Sequence, residues 1–180
     1  MNKLVSIIIV SYNTANLTQK CVKHALASSG IDAGQLEIIV VDNNSSDNTV
    51  QLLKKSYPDI KIISSPKNLG FGGGNNLGAK HATGEYVLLL NTDAFLNPGS
   101  LSELVTVLDK NKSILSVAPK LTYEDGQIQQ SVGYFPTLAR VVGWMWGLDK
   151  LPGIKLLFPT PYHFYDVSKY NKDLSPDWLM

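Results

Sequence analysis

Four short apolar runs, at residues 5–10, 37–41, 60–63 and 86–90, break off into polar clusters and are separated by segments of helical period. That alternation is the strongest constraint on the chain. Runs of Val, Ile and Leu without polar alternation suit strands buried on both faces, which requires helices on both sides of a mostly parallel sheet. The intervening segments supply them. Residues 15–29 place Leu17, Cys21 and Ala25 four apart, with Gly30 as a stop. Residues 47–57 carry Val50, Leu53 and Tyr57 on one stripe and end before Pro58. A third helix is predicted over 75–82, ending near Gly84. The fourth has Asn97 as N-cap, Pro98 at its first position, and Leu101, Leu104, Val105 and Leu108 at helical spacing. Strand and helix alternating at this pitch give an α/β layered fold.

Composition narrows the function classes. A hydrophobic content of 44% with 17% charged residues excludes intrinsic disorder. Sixteen Lys and Arg against fifteen acids leave a net charge of +1, too little basic excess for a nucleic-acid partner. A single cysteine makes neither a disulfide framework nor a zinc cage. Residues 5–10 run into Ser11-Tyr12-Asn13 with no small-residue cleavage site, so they read as a strand and not a signal segment. No stretch approaches the roughly 18 apolar residues of a membrane span, so the expectation is a soluble, cytoplasmic chain. Past residue 118 the texture changes. Glu124-Asp125-Gly126 is a hairpin signal between 121–123 and 127–132, and from Gly133 onward aromatics, prolines and glycines accumulate. The last residues, Asp177-Trp178-Leu179-Met180, are apolar without a polar tail, and the expectation is a chain that stops inside a larger fold.

In open α/β sheets ligands bind beyond the carboxyl ends of the strands. Each strand here ends in a polar cluster: Ser11-Tyr12-Asn13, then Asp42-Asn43-Asn44-Ser45-Ser46-Asp47, then residues 66–76, then Asn91-Thr92-Asp93. Gly72-Gly73-Gly74 permits close backbone approach, and reads equally as a flexible loop or a phosphate contact. Gly70 and Gly72 begin a dinucleotide fingerprint that Asn75 breaks, and no Walker motif is present. Asp42 suits the imide N–H of a pyrimidine or a ribose hydroxyl, with an Asx-turn as the alternative. Asp47 reads as a first-turn helix residue. Asp93, two positions after Asn91, suits Mg²⁺ or Mn²⁺, a hard cation that takes one or two carboxylates beside phosphate and water, with a plain turn as the alternative. His24, His81 and His163 lack partners at ligand spacing, and Cys21 reads as a buried hydrophobe.

Together, residues 5–13, 40–47, 68–78 and 84–93 resemble a family 2 glycosyltransferase, an inverting enzyme with the GT-A-type nucleotide-binding fold. The Asn68-Leu69-Gly70-Phe71-Gly72 loop and the Asn91-x-Asp93 form are similar to the rhamnosyltransferase-like branch. The resemblance covers residues 4–120 clearly. It implies a donor region over 1–120 and the start of an acceptor-side region over 121–180. It also implies that Ser11, Tyr12 and Asn13 line the nucleotide pocket with Tyr12 against the base, and that Asp42, with Asn44 beside it, binds the pyrimidine edge. Asn68, Gly70, Phe71 and Asn76 then lie near the ribose and sugar, and Asn91 and Asp93 near a Mg²⁺ or Mn²⁺ ion that Asp93 holds. The implied partners are a UDP- or dTDP-sugar donor and a glycan or lipid-linked acceptor. Two departures stand out. Asn91 replaces an aspartate and Asn75 an arginine common in relatives. The acidic base of such enzymes follows a Trp-containing strand resembling Asp177-Trp178, so no catalytic base is assigned before Met180, and donor binding with poor transfer is expected. Asp166, Asp173 and Asp177 lie outside that motif. Trp144, Trp146, Leu148, Leu151, Leu156, Leu157 and Phe158, with Lys150 and Lys155, suit contact with a lipid-linked acceptor or with the inner face of a membrane, with ordinary packing as the alternative. A noncatalytic nucleotide-binding module and a nucleotidyltransferase are the alternatives.

Overall fold

The computed structural model describes residues 4–154, 157, 159, 167–171, 174 and 178–179. Expectations placed on Lys155, Leu156, Phe158, His163, Asp166, Asp173, Asp177 and Met180, and on the side chain of Trp178, lie outside the described residues. The chain forms two compact units, Met1–Leu115 and Ser116–Met180.

The first unit is built on four parallel strands: β1 (Val5–Ser11), β2 (Leu36–Asp42), β3 (Lys61–Ser64) and β4 (Tyr86–Leu90), in the order β3-β2-β1-β4. Helices α1 (Ala15–Ser28), α2 (Thr49–Ser56), α3 (Gly70–Ala79) and α4 (Ser100–Lys110) connect or follow them. Strand alternation sorts the side chains into two layers. Val5, Ile7 and Ile9 of β1, with Leu36, Ile38 and Val40 of β2, pack against Cys21, Val22 and Ala25 of α1, Leu53 of α2, and Leu101 and Val105 of α4. Ile8, Ile39 and Val41 face the other way, with Leu77 of α3 packed against them. Each fully buried aliphatic side chain contributes roughly 1.5–3 kcal/mol by leaving water, so the two central strands anchor the unit.

Three expectations are corrected. The strands buried on both faces are β1 and β2 alone. Val87 and Leu89 of β4 are half exposed, because α3 covers β1 and β2 and leaves that face of β4 open. Helix α4 begins at Ser100 behind Gly99, whose φ is +79°, while the carbonyl of Asn97 accepts from the Ser100 N–H and hydroxyl. The 97–99 segment is therefore a turn leading into the helix. Helix α3 starts at Gly70, five residues earlier than its periodicity predicts. Gly72-Gly73-Gly74 is thus helical and not a flexible loop. A Cβ on Gly74 would sit 2.7 Å from Val10 Cγ1, and one on Gly78 would sit 2.5 Å from Ile8 Cγ2. Two of the glycines therefore let the helix lie close on the sheet.

The second unit contains the expected hairpin, β5 (Leu121–Thr122) with β6 (Ile128–Gln129), turned at Gly126 with φ +81°. Strand β7 (Val132–Gly133) pairs antiparallel with β8 (Trp178–Leu179), and α5 (Leu138–Met145) lies between them in sequence. The Tyr170 hydroxyl accepts from the Ser131 and Val132 N–H groups beside the small core of Val132 and Tyr170. Among the described residues no helix is long and apolar enough to cross a membrane.

Candidate functional site

The strand order creates the site. The chain steps outward from β1 to β2 to β3, then returns to place β4 on the other flank of β1, so the winding reverses between β1 and β4. Crevices form at such switch points, outside the carboxyl ends of the strands. Ile9 pairs with Leu90, so Asn91, Thr92 and Asp93 emerge beside the end of β1. On the other flank Ser11 is in register with Asp42, and Asp42 with Ser64. Asp42 thus ends β2 on one flank of β1 and Asp93 follows β4 on the other, both at the carboxyl rim of the sheet.

The rim residues divide into those that hold the loops and those that face solvent. Ser11 is fully buried, and its hydroxyl is hydrogen-bonded to Thr14 at 3.1 Å and Thr18 at 2.8 Å. Its side chain fastens the first turn of α1 to β1 and does not reach into the crevice. Asn13, with φ +55°, accepts at Oδ1 from the Ser46 N–H at 2.7 Å, and its own N–H donates to Ser45 Oγ at 2.9 Å. The loops after β1 and β2 are therefore stitched together. Asp42 is buried and accepts from the Ser45 N–H, three residues on, at 3.3 Å, which leaves its second oxygen without a hydrogen bond from the described residues. Asn44 is exposed at φ +70°, a conformation that asparagine adopts more readily than most residues.

Asp47 does more than its sequence position suggests. It precedes α2 by two residues, accepting from the Thr49 N–H and hydroxyl, and it also accepts from the Ala15 N–H of α1 at 3.1 Å. One carboxylate serves two helix N-termini. The Thr49 hydroxyl bond, with the Ala15 and Thr49 N–H groups, holds its pKa below the ordinary aspartate value. A depressed folded pKa stabilises above the unfolded value and is lost as pH falls through the folded one. Asp47→Ala is expected to lower unfolding free energy by roughly 0.5–2 kcal/mol at pH 7. The deficit should shrink in acid, measured by urea denaturation at pH 7 and pH 3.

Asn43 is the residue the sequence reading left out of the site. It is 2% exposed. Its Nδ2 donates to Asn68 Oδ1 at 2.9 Å and to the Gly70 carbonyl at 3.2 Å, and its Oδ1 accepts from the Leu69 N–H at 2.9 Å. The loop before α3 is thus pinned to the end of β2. Asn68 in turn accepts from the Gly70 N–H at 2.8 Å, and Gly70 holds φ +71°. A signal existed in strand parity: Asn43 continues the Ile39-Val41 face toward α3. Phe71 and Asn76 project exposed from α3. Asn75 is 6% exposed, donating to the Phe71 carbonyl at 3.1 Å while its Oδ1 has no partner.

Beyond β4, Asn91 and Asp93 are exposed, and the Asp93 carboxylate accepts no hydrogen bond from the described residues. The turn carrying them rests on α1: the Cys21 thiol donates to the carbonyls of Asn91 at 3.4 Å and Ala94 at 3.5 Å. Burial, then the nearby Asp93 charge, pushes that thiol up to about 12, so Cys21 is a packing residue and not a nucleophile. His24 stacks on Phe95 at 5.0 Å, a structural contact. Among the described residues no three His, Cys, Asp or Glu side chains gather into a metal cluster. One rim carboxylate fits a hard cation completed by phosphate and water, and does not fit an all-protein cage. A cleft of about 570 Å³ lies at the other end, between the starts of β2 and β3 and the ends of α1 and α2. Of its charged lining residues Glu37, Asp59 and Lys61, Glu37 is engaged with Ser6 and Thr83, and Lys61 with the His81 carbonyl.

With this geometry in place, the family model for glycosyl transferase family 2 matches residues 6–164. The chain belongs to glycosyl transferase family 2. This family 2 chain is 34% identical over 117 residues to a chondroitin synthase of Pasteurella multocida, covering 63% of the chain and 12% of that protein. It is 34% identical over 154 residues to a low-salt glycan biosynthesis hexosyltransferase of Haloferax volcanii, covering 82% and 46%. It therefore spans less than half the length of either relative. Two solved structures share its fold. S. aureus TarS 1–349 in complex with UDP-GlcNAc matches with a TM-score of 0.56 at 22% identity, over 77% of this chain and 42% of that one. The mannosyltransferase PcManGT of Pyrobaculum calidifontis, in complex with GDP-Man and Mn²⁺, matches with a TM-score of 0.57 at 23% identity, over 68% and 36%. The parallel layered sheet is thus the GT-A-type architecture expected from the sequence.

Proposed function

We propose that the family 2 chain binds a nucleotide-diphosphate sugar along the carboxyl rim and serves its transfer, with inversion, to an acceptor hydroxyl. The observation that carries this reading is the placement of Asp42 and Asp93 on one rim, astride the switch point between β1 and β4. Tyr12, half exposed beyond β1, is positioned to stack on the base, and Asp42 and Asn44 to meet the edge of a pyrimidine. Donors of the UDP or dTDP class follow from that assignment. Asn68, Gly70, Phe71 and Asn76 border the ribose and sugar. Ser11 and Asn13 act by holding loops.

Asp93, with Asn91 beside it, would hold Mg²⁺ or Mn²⁺. Such an ion, when bound, stabilises the negative charge that develops on the departing diphosphate. The chain's own part is to fix the loops on which the donor lies and to keep the Asp93 turn against α1. The acceptor is a glycan or lipid-linked hydroxyl at the inner face of a membrane, consistent with relatives named for polysaccharide and glycan biosynthesis. The Asn68–Gly72 loop and the Asn91-x-Asp93 form support the rhamnosyltransferase-like branch. Nothing in the comparisons favours a nucleotidyltransferase.

The test is calorimetric titration of the chain with UDP and dTDP, with and without Mn²⁺, beside Asp93→Ala. Mn²⁺ is expected to tighten binding of the wild type, and the variant should lose most of that gain. Binding indifferent to both Mn²⁺ and the substitution would remove the metal assignment. No binding of either nucleotide would remove the donor site.

A further inference from the structure

Asp93 is the third residue of a four-residue turn, closed by the Ala94 N–H donating to the Asn91 carbonyl at 3.1 Å. Its carboxylate accepts no hydrogen bond among the described residues, so the position of the charge follows the backbone of that turn. One backbone hydrogen bond holds such a turn only weakly.

Cys21 reaches both ends of it. The residue is fully buried on α1, and its thiol donates to the carbonyl of Asn91, which opens the turn, at 3.4 Å and to that of Ala94, which ends it, at 3.5 Å. One S–H is shared between two acceptors, and the Ala94 carbonyl has no other donor among the described residues. The same helix holds the chain again one residue on. The Lys20 ammonium lies 4.3 Å from the centre of the Phe95 ring, and the His24 ring 5.0 Å from it. Leu96 then enters the core that contains Cys21. Lys20, Cys21 and His24 share one face of α1, and that face grips residues 91–95. An apolar side chain at position 21 would fill the same core and leave both carbonyls without this donor, so burial alone gives no reason for a thiol there.

We propose that Cys21 is a positioning residue for the divalent cation at Asp93: by tying the first and last carbonyls of the turn to α1, it holds the carboxylate ready for the ion. The proposal rests on the donor reading above and adds to it a residue buried out of reach of both ion and nucleotide. With Asn91 uncharged, Asp93 is the single strong ligand the rim offers, and a loose turn would have to be ordered when the ion binds, at a cost in entropy. Losing an outer hydrogen-bond partner typically costs a metal site roughly 10–100-fold in affinity. A thiol is a weak donor, which places Cys21 at the lower end of that range.

The experiment compares the wild type with Cys21→Ala, Cys21→Ser and Val22→Ala by two readouts. The first is hydrogen exchange at the Ala94 N–H, followed by NMR without metal or nucleotide. It is expected to be severalfold faster in Cys21→Ala. The second is Mn²⁺ titrated at fixed UDP. The Mn²⁺ concentration that gives half of the gain in UDP binding should rise about tenfold in Cys21→Ala, while UDP affinity without Mn²⁺ stays as in the wild type. Cys21→Ser keeps a donor and should recover most of both losses. Val22→Ala removes two methyl groups from an equally buried neighbour with no hydrogen bond to the turn, and should leave both readouts unchanged. Wild-type exchange in Cys21→Ala, or faster exchange with an unmoved Mn²⁺ midpoint, overturns the proposal and leaves the donor reading standing. So does a Cys21→Ser chain no better than Cys21→Ala, or a Val22→Ala chain as poor, because the effect is then one of packing. A wild type whose UDP binding ignores Mn²⁺ removes the metal reading and this proposal together.

Discussion

Gly78→Val is expected to destabilise the first unit strongly, lowering unfolding free energy by about 3 kcal/mol. The argument is one of competing magnitudes. Any residue but proline gains over glycine in a helix interior, by up to about 1 kcal/mol. At Gly78 that gain is opposed by contact with the sheet: the first carbon alone would lie 2.5 Å from Ile8 Cγ2 and 3.2 Å from Val41 Cγ2. Both side chains are fully buried on the central strands and have no open space to move into. Helix α3 must therefore lift, which opens the second core layer and displaces the loop that Asn43 pins. A loss of this size is a large part of the 5–15 kcal/mol typical of a whole domain. Gly72→Ala is the control. It lies in the same helix with nothing within 4 Å of the added carbon, so it should be neutral or stabilising by up to about 1 kcal/mol. Urea midpoints for both variants decide the matter. Equal effects at the two positions would mean that close helix–sheet approach is not what the glycines are for.

Asn43→Asp should damage both folding and nucleotide binding. The substitution replaces an amide that donates to Asn68 Oδ1 and the Gly70 carbonyl with a carboxylate facing the same two oxygens. The site is 2% exposed, so the charge is neither hydrated nor paired. A destabilisation of roughly 2–4 kcal/mol is expected near neutral pH. It should ease in acid, because a protonated carboxyl can donate one of the lost hydrogen bonds. Asn43→Ala removes the donors without adding charge and should fall between the wild type and Asn43→Asp. Since the Asn43 side chain bonds residues 68–70, while its link to the end of β1 is a backbone N–H to the Ser11 carbonyl that the substitution keeps, UDP affinity should fall with the loop while α1 and the Asp93 turn stay intact. The measurements are UDP titration and urea denaturation at pH 7 and pH 5. Wild-type affinity in a folded Asn43→Ala would show that the loop keeps its position without this anchor.

The α/β class, the parallel strands and the hairpin at Gly126 were all legible, because each follows from local periodicity and turn chemistry. So was the sharing of one edge by the polar clusters, since the residues that end or follow parallel strands, Asp42 and Asn91 to Asp93 among them, lie at the same side of the sheet. The start of α3 was not legible. Seven of its ten residues are glycine or asparagine, poor helix formers, and what makes the segment helical is contact with Val10 and Ile8, which no local pattern records. The open face of β4 escaped for a related reason: Tyr86–Leu90 reads as uniformly apolar, and only the position of α3 leaves Val87 and Leu89 uncovered.

Within the rim, residue type alone could not tell an outward-facing group from a supporting one. Ser11, Asn13, Asn43 and Asp47 are as polar as Tyr12, Asn76 and Asp93, yet their side chains are engaged with neighbouring loops and helix ends. The sequence by itself determined which residues end the strands and hence what chemistry is offered along the edge. Tertiary structure alone decided which of those groups hold the scaffold and which face outward. That division depends on partners such as Thr18, Ser46, Asn68 and Ala15, which stand 7 to 33 residues away along the chain, and a hydrogen bond across such a gap exists only once the sheet has brought its ends together.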